Sequence, residues 1–112
     1  MNYIEIVSAD CDAIVGMYQR THGVTFGAPD ADLGQARVAT LADGTLVGVR
    51  KPLADHEQPI VRVYAAVDDI ASAVKQAQEQ GAIVAYGPTK QGARGTFAIL
   101  FQGGVQLGFW QR

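Results

Sequence analysis

A chain of 112 residues with 48 % apolar and 18 % charged side chains is one small globular domain, neither disordered nor fibrous. Its formal charge of −2 leaves no electrostatic footprint for nucleic acid or an anionic membrane surface, and no apolar run approaches the length that spans a bilayer. One cysteine excludes an internal disulfide framework, and the opening MNYIEIVSAD lacks the regions of a signal peptide, so a soluble cytoplasmic protein is expected.

Tyr3 to Val7 (YIEIV) alternates as a strand, with Ile4 and Ile6 on one face and Tyr3, Glu5 and Val7 on the other. Ser8 and Asp10 can cap a helix whose apolar face is Ile14, Met17, Tyr18 and Thr21, and Gly23 is placed to end it. Val24 to Phe26 is a short strand candidate, followed by a polar loop from Gly27 to Gly34. Ala36 to Leu41 and Thr45 to Arg50 are strands joined at Ala42-Asp43-Gly44, where Asp-Gly signals a hairpin. Lys51 to Gln58 is a linker.

The second half begins at Pro59. Ile60 to Val67 is β-branched and alternating. Asp69 then opens a helical stripe of Ile70, Ala73, Val74 and Ala77 that Gly81 stops. Ile83 to Tyr86, Thr96 to Phe101 and Val105 to Gln111 are further strands. The order β-α-β-β-β thus occurs twice, in modules 1–54 and 59–112. Asp10 stands to Tyr3 as Asp69 stands to Arg62, and Gly44-Thr-Leu-Val-Gly48-Val matches Gly104-Val-Gln-Leu-Gly108-Phe. Such halves, each exposing an apolar sheet face, are expected to pack together. A ferredoxin-like βαββαβ dimer is the alternative α+β architecture, disfavoured by the extra strand in each half.

Several segments, in this order and spacing, resemble the vicinal oxygen chelate superfamily of glyoxalase I, bleomycin-resistance proteins and extradiol dioxygenases. They are YIEIVSAD with Met17-Tyr18 and His22-Gly23, RVYAAVDDIASAVKQAQEQGA, GPTKQGARGTFAIL and GGVQLGFWQ. The closing segments are similar to small hydroxylase-like or glyoxalase-like members, although the turn Gln102-Gly103-Gly104 is shorter than theirs. The resemblance implies an α+β fold of two βαβββ modules, with curved mixed sheets enclosing a cavity, and a homodimer. It also places that family's metal ligands at Tyr3, Gly48, Arg62 and Gly108. None of these is a usable divalent-metal ligand, so no metal or other cofactor is expected.

If Tyr3 and Arg62 face the cavity, alternation puts Glu5, Val7, Tyr64 and Ala66 there too, with Leu46, Gly48, Arg50, Gln106, Gly108 and Trp110 on matching faces. The opposite faces, Ile4/Ile6, Val61/Val63/Ala65/Val67, Val47/Val49 and Leu107/Phe109, suit packing under helices. The candidate ligand-binding set is Tyr3, Glu5, Arg50, Arg62, Tyr64, Gln106 and Trp110, which combines aromatic walls with a few fixed polar groups. A buried Arg62 needs a counter-charge, and Glu5 is the expected one.

Three functions fit these residues. The first is a metal-free protein binding a small organic molecule, aromatic or anionic. The second is a glyoxalase-type lyase or isomerase, or a dioxygenase-like enzyme, with Glu5 as general base and an arginine stabilising an oxyanion. The third is a structural or regulatory dimer whose interior is filled by the ion pairs. Cys11, His22, His56, Lys90 and Arg94 have plainer roles as packed, capping or solvated residues.

Overall fold

The computed structural model describes residues 2–112. Two α-helices and seven strands follow the order β1 (Tyr3–Val7), α1 (Cys11–His22), β2 (Arg37–Thr40), β3 (Leu46–Arg50), β4 (Ile60–Ala66), α2 (Ile70–Glu79), β5 (Ile83–Lys90), β6 (Thr96–Gln102) and β7 (Val105–Gln111). Short 3-10 turns occupy Ala31–Leu33 and Gly92–Arg94.

Local chemistry sets the helix ends. The Asp10 carboxylate accepts from the Ala13 N–H, and that of Asp69 from the Ser72 N–H, so each helix has an acidic N-cap. Gly23 closes α1 in the left-handed region at φ 63°, with its N–H donating to the Gln19 carbonyl. The Gln111 side chain accepts from the Ile70 N–H and ties the start of α2 to the last strand.

All seven strands form one sheet in the order β2-β3-β1-β4-β7-β6-β5. The halves are therefore joined edge to edge by backbone hydrogen bonds across the antiparallel β1–β4 pair, where Tyr3 faces Tyr64 and Glu5 faces Arg62. On either side of this pair the pattern repeats, with β1–β3 and β4–β7 both parallel. The sheet is curved and does not close, and this connectivity excludes the ferredoxin-like alternative.

Both helices lie on one face. α1 covers Ile6, Val47 and Val49, and α2 covers Ala98, Leu100 and Phe109. The expected burial of the whole outer face does not hold. Val61, Val63 and Leu107 are 63 %, 49 % and 43 % exposed, because α1 packs mainly on β3 and α2 on β5, β6 and the Phe109 end of β7. The buried face of α1 is also rotated from expectation. Val15 is buried, with Cys11, Ile14 and Tyr18 packed beside it, while Met17 and Thr21 face solvent.

Val24–Phe26 is not a strand. Phe26 is buried against Tyr18, and the backbone that follows meets β2 where the Gly27 N–H donates to Val38 and its leading edge where the Asp30 N–H donates to Ala36, with the Arg37 side chain donating to the Gly27 carbonyl. Two backbone hydrogen bonds do not make a ladder. The first half thus has one strand fewer than the second.

The opposite face is free of helices and carries the aromatic cluster of Tyr3, Tyr64 and Trp110. Gly48 and Gly108 make room for it: a methyl group on Gly48 would overlap the phenol of Tyr3, and one on Gly108 the ring of Tyr64. Gly48→Ala should therefore cost about 1–3 kcal/mol through overpacking. Urea denaturation would show this as a lower midpoint at an unchanged m-value.

Candidate functional site

The centre of the inner face is a buried ion cluster. Glu5 projects from the middle of β1 between Arg50 at the end of β3 and Arg62 on β4. One carboxylate oxygen accepts from Nε of Arg50 at 3.0 Å, and the other from Nη1 of Arg62 and from the Tyr64 hydroxyl at 3.0 Å. The side chains of Glu5, Arg50 and Arg62 are 10 %, 6 % and 10 % exposed. The expected Glu5–Arg62 pair is thus present, with Arg50 added.

Each guanidinium is held on a second side. Gln106 Oε1 accepts from Nε and Nη2 of Arg62 at 3.1 and 2.8 Å. Glu57 grips Arg50 fork to fork, with Nη1 donating to one oxygen at 2.8 Å and Nη2 to the other at 2.7 Å. This contact holds the Arg50 guanidinium well above its usual range and the Glu57 carboxyl down at about 2, against an ordinary 4.5.

Aromatic rings surround the cluster. Tyr3 stacks on Tyr64 at 5.7 Å between centroids and meets Trp110 edge-on at 5.2 Å, while Phe97 bridges Tyr64 and Tyr86. Trp110 is fixed by its indole N–H, which donates to the Arg94 carbonyl at 2.8 Å. Arg94 in turn pairs with Asp30, joining the two short 3-10 turns at this end of the sheet. Burial, and then the Glu5 charge, raise both the Tyr3 and Tyr64 phenols above their usual range. The buried Tyr3 hydroxyl has no hydrogen-bond partner among the described residues.

A cavity of about 340 Å³ opens over this surface. Of the seven residues expected to line it, Tyr3, Glu5, Arg50, Arg62, Tyr64 and Trp110 do so. Gln106 does not; it lies behind Arg62 and orients it. The wall also takes Leu33, Leu53, Glu57, Tyr86, Phe97 and Ile99, which the sequence reading left out. Phe97 and Ile99 were accessible to the same alternation applied to β6. Tyr86 is set by irregular pairing in β5, and Glu57 by a linker without periodicity.

The remaining candidates lie elsewhere. Cys11 donates to the Ser8 carbonyl, and burial pushes its thiol up, opposite to the effect expected at a helix N-terminus. His22 bonds Thr21 and packs on Tyr18, and His56 and Lys90 are exposed.

The donor set does not suit a divalent metal. Tyr3, Gly48, Arg62 and Gly108 offer no carboxylate or imidazole, and Glu5 already serves two cations where a third would have to sit. Among the described residues no three His, Cys, Asp or Glu side chains come together.

No protein-family model and no curated protein matches the chain. Solved structures do. A methylmalonyl-CoA epimerase from Mycobacterium tuberculosis superposes with a TM-score of 0.74 at 16 % identity, covering 97 % of this chain and 85 % of that one. A hypothetical protein from Bacillus halodurans gives 0.72 at 16 % identity over 99 % and 94 %. A Streptomyces coelicolor methylmalonyl-CoA epimerase in complex with 2-nitronate-propionyl-CoA gives 0.63 at 20 % identity over 97 % and 94 %. The chain has the glyoxalase-like, vicinal oxygen chelate fold of these epimerases.

Two measurements check the cluster. Glu5→Gln leaves two buried guanidiniums short of a counter-charge and should cost about 3–5 kcal/mol in denaturant titrations. Glu57 makes an acid-dependent contribution. Its folded-state pKa is depressed, so its contribution to stability is complete above 4.5 and is lost as pH falls towards 2. In thermal melts between pH 5 and 2, Glu57→Gln should show a shallower decline in Tm than the wild-type protein.

Proposed function

We infer that this is a metal-independent protein that binds a small organic molecule, with a flat apolar body and a polar or anionic edge, in the inner-face cavity. In this proposal it acts in the cytoplasm as a homodimer of single-domain chains, each built from modules 1–54 and 59–112. The observation that carries the proposal is the cavity itself. The ion cluster and aromatic rings do not fill the sheet interior but leave about 340 Å³ above them, a volume suited to a small ligand. Tyr64, Phe97 and Trp110 supply flat walls, Arg62 and Arg50 supply charge, and Glu5 is their counter-ion.

Two observations favour binding over turnover by a Glu5 base. Each Glu5 oxygen already accepts from a guanidinium, so proton abstraction would first require one of these charge-assisted bonds to break. Arg62 is also pinned by Gln106, which suits a fixed recognition group. The dimer draws support from the uncovered apolar strip of Val61, Val63, Val105 and Leu107, larger than single surface residues need.

Native mass spectrometry of untagged protein, purified without chelator, is the direct test. The expected species is a dimer that carries an organic adduct and no metal, with the adduct lost in a folded Arg62→Met variant. A stoichiometric divalent metal would overturn the metal-free assignment. An adduct retained unchanged in Arg62→Met would remove Arg62 from recognition.

A further inference from the structure

Glu57 differs from the other three members of the ion cluster in where it comes from. Glu5, Arg50 and Arg62 stand on sheet strands, whereas Glu57 lies in the irregular linker between β3 and β4, flanked by the exposed Asp55 and His56. Its carboxylate nevertheless sits in a cradle of three donors. These are Nη1 and Nη2 of Arg50 at 2.8 and 2.7 Å and the Leu53 N–H at 2.7 Å. A planar fork plus a backbone N–H is a general receptor for a carboxylate, whichever molecule supplies it.

The receptor does not depend on Glu57 for its shape. Arg50 is only 6 % exposed. Its Nε is anchored to Glu5 at 3.0 Å, and its Nη1 also donates to the Lys51 carbonyl at 3.1 Å. If Glu57 left, the guanidinium edge would remain aimed as it is. Both Glu57 and Leu53 line the cavity, so the cradle opens onto the space bounded by Tyr64, Phe97 and Tyr86. Charge balance points the same way. Glu5 and Glu57 neutralise Arg50 and Arg62, so an anionic ligand gains nothing while Glu57 is bound but replaces its charge one for one once the Glu57 side chain swings out.

Building on the cavity-binding proposal, we propose that Glu57 is an internal stand-in for a ligand carboxylate. Small aromatic monocarboxylates enter the cavity, take the Arg50 fork and the Leu53 N–H, and displace the Glu57 side chain while the linker backbone at Leu53 stays in place. The flat body of the ligand then lies among the cavity rings. Because only the state with the Glu57 side chain swung out is competent to bind, Glu57 lowers the apparent affinity by the fraction of time the cradle is free. It also discriminates against neutral analogues, which cannot compensate the exposed Arg50 charge.

Trp110, the one tryptophan of the chain, lines the cavity and reports occupancy by its fluorescence. The probes are benzoate and its neutral analogue benzamide, titrated at constant ionic strength into wild type, Glu57→Ala and Glu57→Gln. Measuring both variants keeps the test open should one fail to fold. Expected is benzoate binding about tenfold or more tighter in the variants, with benzamide changed less than about twofold. If benzamide binds all three proteins and benzoate gains nothing, the stand-in role is overturned while the cavity proposal survives. Equal gains for both probes would make Glu57 a mere plug and overturn the carboxylate preference. No response to either probe in any of the proteins would overturn the stand-in role and weigh against the cavity proposal as well.

Discussion

The inner face depends on a single carboxylate placed between two guanidiniums at the centre of the sheet. Glu5 lies where the two halves meet, on the antiparallel β1–β4 pair, and receives one arginine from each half. Burying two cations is costly unless each finds an anion and its remaining donors find acceptors. Here Gln106, Glu57 and the Lys51 carbonyl take those donors. The cluster therefore fixes the alignment of four strands and one linker at once. A slip of one residue in the β1–β4 register would turn Arg62 to the other face, away from Glu5.

The aromatic rings depend on a different constraint, the lack of side chains at two positions. Gly48 and Gly108 occupy matching places in the halves, and each leaves its strand bare where a tyrosine ring lies against it. The rings are not at matching places. Tyr3 corresponds to Arg62 and Glu5 to Tyr64, so the same pair of positions holds a phenol and a charge in opposite order. An approximately twofold backbone thus carries an asymmetric surface. The halves also differ at their edges, since β5 pairs with β6 from Ile83 to Lys90 with two register shifts, whereas the segment around Phe26 forms no ladder with β2.

Alternation and capping made much of this legible before any coordinates. Asp10, Asp69 and Gly23 mark the helix ends where they occur. The inward sets Tyr3/Glu5, Arg62/Tyr64 and Gly108/Trp110 follow from a strict period of two, and the Glu5–Arg62 contact follows from the cost of an unpaired buried charge. Period alone did less well on the outer face. It assigned Val61, Val63 and Leu107 to a helix-covered layer, because it reports which side a residue faces and not whether anything lies over that side. On α1 a short helix with a weak apolar stripe left its phase uncertain by one residue, and Val15 took the buried place expected for Met17.

The chain order of residues was enough to set both helices, seven of the eight strand candidates and the inward faces, since all of these depend on neighbours and on period. Tertiary structure alone decided the rest. It joined the halves edge to edge, left the β4 strip bare, kept about 340 Å³ open above the ion cluster, moved Gln106 behind Arg62 and brought Glu57 onto Arg50. Those features depend on the curvature of the whole sheet and on the path of a linker without periodicity, and contacts between residues so placed leave no pattern along the chain.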